Sequence, residues 1–320
     1  MPPLLEVHDL VKKYGEFSAV KGISFDIQEG EIFSLLGPNG AGKTTTISVL
    51  STLYSPSSGD ALVGGHSVAK EPMAVRNLIG VVPQDLAIYD DLTARENLTF
   101  WGQMYGLSGK PLKTRITEVL EQIGLSDKAD QRIKTYSGGM KRRVNIGVGL
   151  LHKPRLIFMD EPTVGIDPQS RRAILDSVKD LNQQGMTVLY TTHYMEEAQE
   201  LSDRVGIIDH GEMIALGTQV ELNRQVGEND TLILQLGEVA MAGTITDAEA
   251  LAAAIRELPG VLKADVSDQT ITIIAPEAED IMAPVITQAN QLGVKIRSVD
   301  IQEPNLEAVF LSLTGRALRD

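Results

Sequence analysis

The stretch Gly37-Pro38-Asn39-Gly40-Ala41-Gly42-Lys43-Thr44-Thr45-Thr46 decides how this 320-residue chain is read. An apolar run, Ile32-Phe33-Ser34-Leu35-Leu36, enters it, and another, Ile47-Ser48-Val49-Leu50, leaves it. Such a stretch is either a surface turn or a cradle for phosphate. Gly37 and Gly42-Lys43-Thr44 satisfy G-x-x-x-x-G-K-[ST], with the strand before and the helix after that the motif requires. Glycine permits positive φ and close approach of the backbone to a ligand. Successive N–H groups can then form an anion-binding concavity, and the helix starting near Thr44 turns its positive end toward it. Lys43 can reach β and γ phosphates. The Thr44 hydroxyl suits Mg²⁺, which takes oxygen ligands and bridges substrate phosphates. The phosphate cradle is the better reading.

Two further apolar strands end in reactive side chains. "RLIFMDEP" closes on Asp160, Glu161 and Pro162, and "MTVLYTTH" closes on His193. Asp160 is expected to hold the Mg²⁺ site, and the adjacent Glu161 suits polarisation of a water in line with the γ phosphate. A helix-capping acidic pair is the plainer alternative, and the preceding strand and Pro162 weigh against it. "YSGGM" puts Ser137-Gly138-Gly139 before a helix, a second candidate anion-binding terminus.

The rest of the chain bounds the setting. Apolar content of 42% supports a sizeable core, and 320 residues suit two domains. No apolar run approaches the roughly 18 to 20 residues of a membrane helix. Met1-Pro2-Pro3-Leu4-Leu5-Glu6 does not read as a secretory leader. Cysteine is absent from the sequence, so disulfides and thiolate metal sites are excluded. Net charge is −14, of which −8 lies from Asp230 to the end. Nucleic acid is not an expected partner, because such surfaces need clustered Lys and Arg. Lys141-Arg142-Arg143 reads instead as a solvated helix face. Leu98, Trp101 and Tyr105, at i, i+3, i+7, read equally well as helix core or as a face for a partner.

Polar residues around Asn223 to Asp230, with Gly227, read as a linker over 223–229. The tail over 230–320 then reads β-α-β-β-α-β, with a hairpin turning at Ser267-Asp268. That order is a small ferredoxin-like α+β domain. A last helix carries Leu306, Val309, Phe310 and Leu313 as an apolar stripe.

The order and spacing of Gly37 to Thr44, Gln84, Ser137-Gly138-Gly139, Asp160-Glu161, Asp167 and His193 resemble an ATP-binding cassette (ABC) transporter ATPase. The resemblance covers residues 4 to about 222. It implies an α/β P-loop NTPase over 1–222, with a RecA-like core, a small antiparallel β part and a helical subdomain near 86–155. It implies ATP and Mg²⁺. ATP would contact Gly37, Pro38, Asn39, Gly40, Ala41, Gly42, Lys43, Thr44 and Thr45, and Tyr14 would stack on adenine. The metal would meet Thr44, Gln84 and Asp160. Glu161, His193 and Lys43 would be catalytic. Ser137, Gly138, Gly139 and Asp167 would contact ATP held by a second copy of the chain.

The signature departs from the usual Leu-Ser-Gly-Gly-Gln at Tyr136 and Met140, and Val164-Gly165-Ile166 precedes Asp167 where Ser-Ala-Leu is commoner. "SGGMKRR", "DPQSRR" and "EPNLEAVFLSLTGR" resemble the branch exporting drugs, antibiotics or lipids, of which daunorubicin-resistance ATPases are an example. The resemblance implies a homodimer, seated on the inner face of the cell membrane through a permease that is a separate chain. A ribosome- or DNA-directed ABC ATPase is less consistent with one P-loop and no heptads. A module that binds ATP without hydrolysing it is less consistent with Glu161 and His193.

Overall fold

The computed structural model describes residues 2–225, 229–237, 244–267, 269–302, 306, 309, 310 and 313. Two compact units divide at Thr218/Gln219.

The first unit opens with β1 (Leu5–Tyr14) and β2 (Phe17–Ile27), an antiparallel hairpin. In β2, Ile23, Phe25 and Ile27 are buried while Ser24 is exposed, the alternation of a half-buried strand. Next come β3 (Ile32–Leu36), α1 (Lys43–Leu50), β4 (Ser58–Val63), β5 (His66–Ser67), α2 (Pro72–Leu78) and β6 (Ile79–Val82). A helical region follows: α3 (Ala94–Met104), α4 (Gly109–Gln122) and α5 (Gly138–Leu150). The chain then alternates through β7 (Leu156–Asp160), α6 (Pro168–Gln183), β8 (Thr187–Thr192) and α7 (Met195–Leu201), and ends in the hairpin β9 (Arg204–Asp209) and β10 (Glu212–Gly217).

These strands make two sheets. One has the order β2-β1-β4-β5 and is antiparallel. The other has the order β10-β9-β3-β8-β7-β6, and β9, β3, β8, β7 and β6 run parallel. Every residue of β3, β7 and β8 is buried. A parallel sheet covered on both faces requires that, which is why these strands read as continuous apolar runs. Phe25 of the first sheet stacks on Phe33 of the second, with centroids 5.1 Å apart. Such an aromatic pair adds about 0.5–1.5 kcal/mol beyond its burial.

One expectation for the helical region needs correction. Lys141-Arg142-Arg143 is not a solvated face. Arg142 is buried and donates from Nη1 to the Pro83 carbonyl at 2.9 Å, Arg143 donates to the Ile123 carbonyl, and Lys141 pairs with Asp90 at 2.9 Å. A buried guanidinium must be hydrogen-bonded, so this helix face is turned inward. The stripe Leu98-Trp101-Tyr105 divides between its two readings: Leu98 is fully buried, Trp101 packs against the same core, and Tyr105, stacked on His152 at 4.1 Å, is exposed. Phe100 and Met104 are exposed on α3 as well, with Tyr89 edge-to-face on Phe100 at 5.2 Å.

The second unit begins with α8 (Gln219–Gln225), so residues 223–225, expected in a linker, are helical. Then follow β11 (Asp230–Leu236), α9 (Thr244–Arg256), β12 (Lys263–Ser267), β13 (Thr270–Ala275), α10 (Ala278–Gln291) and β14 (Ile296–Gln302). The antiparallel order β12-β13-β11-β14 is the ferredoxin-like arrangement. Its core joins Leu232 and Leu234 to Leu251, Ile255, Ile271, Ile273, Ile281 and Val285. Leu306, Val309 and Phe310 are buried, whereas Leu313 is about a third exposed. Gly227 and Asp268 lie outside the described residues.

Candidate functional site

Ligands of open parallel sheets collect at the carboxyl ends of the strands. Here β3, β8 and β7 are neighbours, and their ends deliver the Gly-rich loop, His193 and the Asp160-Glu161 pair to one place. The loop is tied down by the Gly37 N–H, which donates to the Thr192 carbonyl at 3.3 Å. A Cβ at Gly37 would come within 2.1 Å of the Ile208 carbonyl oxygen. Gly42, the N-cap of α1, has φ 111°, and a Cβ there would lie 2.7 Å from the Ala19 carbonyl. Neither position admits a side chain, so both glycines are required by the loop's path. The loop borders a cleft of about 320 Å³, whose lining includes Asn39, Gly40, Lys43, Thr44, Thr45, Gln84 and Glu161.

Lys43 is only 4% exposed. Its Nζ donates to the carbonyls of Gly37 (2.6 Å) and Pro38 (2.9 Å) and lies 3.0 Å from Glu161 Oε1. Those three partners match the three donors of an ammonium. Glu161 is equally buried and sits at the centre of the cluster: His193 Nδ1 is 3.3 Å from Oε1, and Gln84 Nε2 donates to Oε2 at 3.4 Å. The imidazole nitrogen is close to the carboxylate but not aligned for a hydrogen bond. The Glu161 backbone has φ 44°, a left-handed conformation that costs of order 1–3 kcal/mol for a residue with a side chain. Its N–H is held by Thr191 Oγ1 at 3.0 Å and by the Thr191 carbonyl at 3.2 Å.

Asp160 accepts a hydrogen bond from Thr191 Oγ1 at 2.7 Å. Burial raises its carboxyl pKa, against which the hydrogen bonds from Thr191 and Thr44 act. The oxygens of Thr44, Asp160 and Gln84 are hard donors of the kind that suits Mg²⁺ bridging substrate phosphates. The loop glycines, a buried ammonium and these oxygens therefore fit a nucleoside triphosphate and its metal ion.

The other expected residues lie outside the cleft lining. Ser137 caps α5, its Oγ accepting from the Met140 N–H at 3.2 Å. Asp167 caps α6, accepting from the Ser170 N–H at 2.9 Å, and hydrogen bonds from Ser170 hold its carboxyl pKa below the usual value. The two caps are packed together, since a Cβ on Gly139 would meet Ser170 Cβ at 2.4 Å. Tyr14 sits at the end of β1, edge-to-face with Tyr54 at 6.1 Å, with Lys12 Nζ 5.3 Å from each ring. Phe17, directly opposite Tyr14 in the hairpin, is the aromatic that lines the cleft. Sequence reasoning missed Phe17 and the Thr191 bridge. An exposed aromatic three residues after Tyr14 was the available signal for the first, and only the packing of β7 on β8 reveals the second.

A phosphate loop, a carboxylate at the end of the next strand but one in the sheet and a lysine held between them define a P-loop nucleoside triphosphatase. Residues 20–164 match the family model described as ABC transporter. The chain belongs to the ATP-binding subunits of ABC transporters, an ATP-hydrolysing family. It is 50% identical over 319 residues to the linearmycin resistance ATP-binding protein LnrL of Bacillus subtilis (strain 168), covering 99% of this chain and 100% of that one. It is 38% identical over 319 residues to the daunorubicin/doxorubicin resistance ATP-binding protein DrrA of Streptomyces peucetius, with 99% and 94% covered. Among solved structures, an ATP-binding subunit of an ABC transporter superposes with a TM-score of 0.63 at 32% identity, over 70% of this chain and 93% of that one. The protein cbiO1 from Clostridium perfringens, part of the ABC transporter complex cbiONQ, gives 0.64 at 27% identity, over 71% and 95%. Among the described residues, no helix is long and apolar enough to cross a membrane.

Proposed function

We propose that this subunit powers export of a drug, antibiotic, lipid or similar compound through a separate membrane permease, from the cytoplasmic face. The relatives named for resistance to linearmycin and to daunorubicin and doxorubicin align over nearly the whole chain, C-terminal unit included, which supports export. The exposed Tyr89, Phe100 and Met104 supply an apolar face of the kind a permease loop would cover. A homodimer would hold each ATP between the phosphate loop of one chain and the Ser137–Gly139 terminus of the other, with Asp167 at the same seam.

The observation that carries the chemistry is the buried pairing of Lys43 with Glu161, 3.0 Å apart. An incoming γ phosphate competes for Lys43 and releases the carboxylate. Glu161 then orients a water and accepts its proton while the water oxygen attacks the γ phosphorus and the bond to the bridging oxygen breaks. His193, at the end of β8, holds the phosphate oxygens. Gly37, Pro38, Asn39, Gly40, Ala41, Gly42, Thr44 and Thr45 wrap the phosphates. Bound Mg²⁺ supplies neutralisation of phosphate charge, and Thr44, Gln84 and Asp160 are the residues to hold it. Tyr14 is the candidate contact for the adenine.

Glu161→Gln tests this reading, because it keeps the shape and removes the charge. ATP binding is expected to persist while turnover falls at least about a hundredfold. Turnover near that of the unaltered chain would remove Glu161 from the mechanism.

A further inference from the structure

Glu197, on α7, does not line the phosphate cleft, yet it is only 2% exposed. Its carboxylate accepts three hydroxyl hydrogen bonds. Thr163 Oγ1 donates to Oε1 at 2.7 Å, and Tyr190 OH (3.0 Å) and Thr192 Oγ1 (2.8 Å) donate to Oε2. Arg171 Nε, on α6, lies 3.6 Å from Oε1. A buried carboxylate persists only where such partners offset its lost hydration.

The partners come from two segments, and each segment carries site residues. Thr163 is two residues beyond Glu161 and four before Asp167. Thr192 immediately precedes His193, and its Oγ1 also accepts from the Tyr194 N–H at 2.9 Å. Arg171 closes the circuit from outside: its guanidinium lies 4.2 Å over the Tyr194 ring, and that ring is 4.2 Å from His193. One carboxylate therefore fixes the strand end that presents His193 and the loop that runs from Glu161 to Asp167.

We propose that Glu197 is a positioning residue for hydrolysis, holding His193 and the Glu161-to-Asp167 loop in mutual register. This inference rests on the ATPase roles given above to Glu161 and His193. It acts through charge: an ionised carboxylate accepts at both oxygens, so all three hydroxyls can point at it together and the network is satisfied as a unit. Glutamine retains one accepting oxygen and can hold one arm.

The test is ATP turnover of the full-length chain with Glu197→Ala, Glu197→Gln, His193→Ala and the double variant Glu197→Ala/His193→Ala. Glu197→Ala is expected to lower kcat at least about tenfold with KM for ATP within about twofold, since the phosphate loop is not touched. Glu197→Gln is expected to fall between Glu197→Ala and the unaltered chain. The double variant is expected to lose less than the product of the two single losses, because the part of Glu197 that acts through His193 is already forfeited in His193→Ala. Losses that multiply in the double variant, or a kcat unchanged by Glu197→Ala, overturn the inference. If Glu197→Ala does not fold, Thr192→Val and Thr163→Val each remove one arm. Each is expected to lower kcat several-fold at constant KM, and normal kcat in both overturns the inference. Unaltered turnover in His193→Ala sinks the role given to His193 itself. A slow His193→Ala beside a silent Glu197 sinks only the positioning role.

Discussion

Two regions of the first unit carry residues proposed to meet phosphate, and they are built in opposite ways. At the cleft, Lys43 and Glu161 are 4% and 5% exposed and satisfy each other and their neighbours within one chain. At the caps of α5 and α6, Ser137 and Asp167 are exposed, and their side chains accept hydrogen bonds from their own helices. A buried charge needs a built-in partner. An exposed helix terminus has its N–H groups available to a ligand or to another molecule. The contrast teaches that the first region is assembled by folding alone, whereas the second keeps its capping residues at the surface.

The largest expected effect falls on the buried region. Lys43→Ala removes a charged donor, and charge-assisted hydrogen bonds contribute about 1.5–3 kcal/mol. ATP affinity, measured by equilibrium binding to the full chain, is therefore expected to fall roughly 10- to 100-fold. An unchanged dissociation constant would mean that Lys43 serves the fold and not the ligand.

The next test breaks or keeps the division between the two regions. Heterodimers of a Lys43→Ala chain with a Ser137→Ala chain retain one whole site if ATP lies between chains. Heterodimers of a doubly substituted chain with an unaltered one then have both sites damaged. The first mixture is expected to hydrolyse ATP faster, by several-fold. The reverse order would place both regions on the same ATP within one chain.

A smaller and more local effect is expected from Gly139→Ala. The added Cβ would press on Ser170 at 2.4 Å, and overpacking of this kind costs about 1–3 kcal/mol. Melting temperature should drop by a few degrees and hydrolysis should weaken, with ATP affinity of the single chain unchanged. A loss of affinity would show that the two regions are not independent. The smallest effect is expected from ending the chain at Thr218. The lining of the cleft lies wholly before that residue, so ATP affinity should stay within about twofold, and complete loss in a folded truncation would tie the C-terminal unit to the site.

Much of the site was legible because its chemistry is local. The phosphate loop is a run of neighbours whose residue types answer one backbone path, and Asp160-Glu161 and His193 announce themselves at the ends of apolar strands. The β-α-β-β-α-β tail is legible for the same reason, as hydrophobic period reports each element separately. The misread stretches are those where burial overrode composition. Arg142 looked like surface until the Pro83 carbonyl appeared beside it, and α8 continued through polar residues that resembled a linker.

By itself, then, the amino-acid order determined the phosphate loop, the acidic strand end, the histidine strand end and the ferredoxin-like tail, since each depends on spacing within a few residues. Only the tertiary structure decided that Glu161 meets both Lys43 and His193, that Thr191 bridges to Asp160, that Phe17 borders the cleft, and that Glu197 gathers Thr163, Tyr190 and Thr192. Those contacts follow from the parallel order β3-β8-β7, which brings together strand ends far apart in the chain. Strand order is settled by crossover packing across the whole sheet, and no local pattern of side chains encodes it.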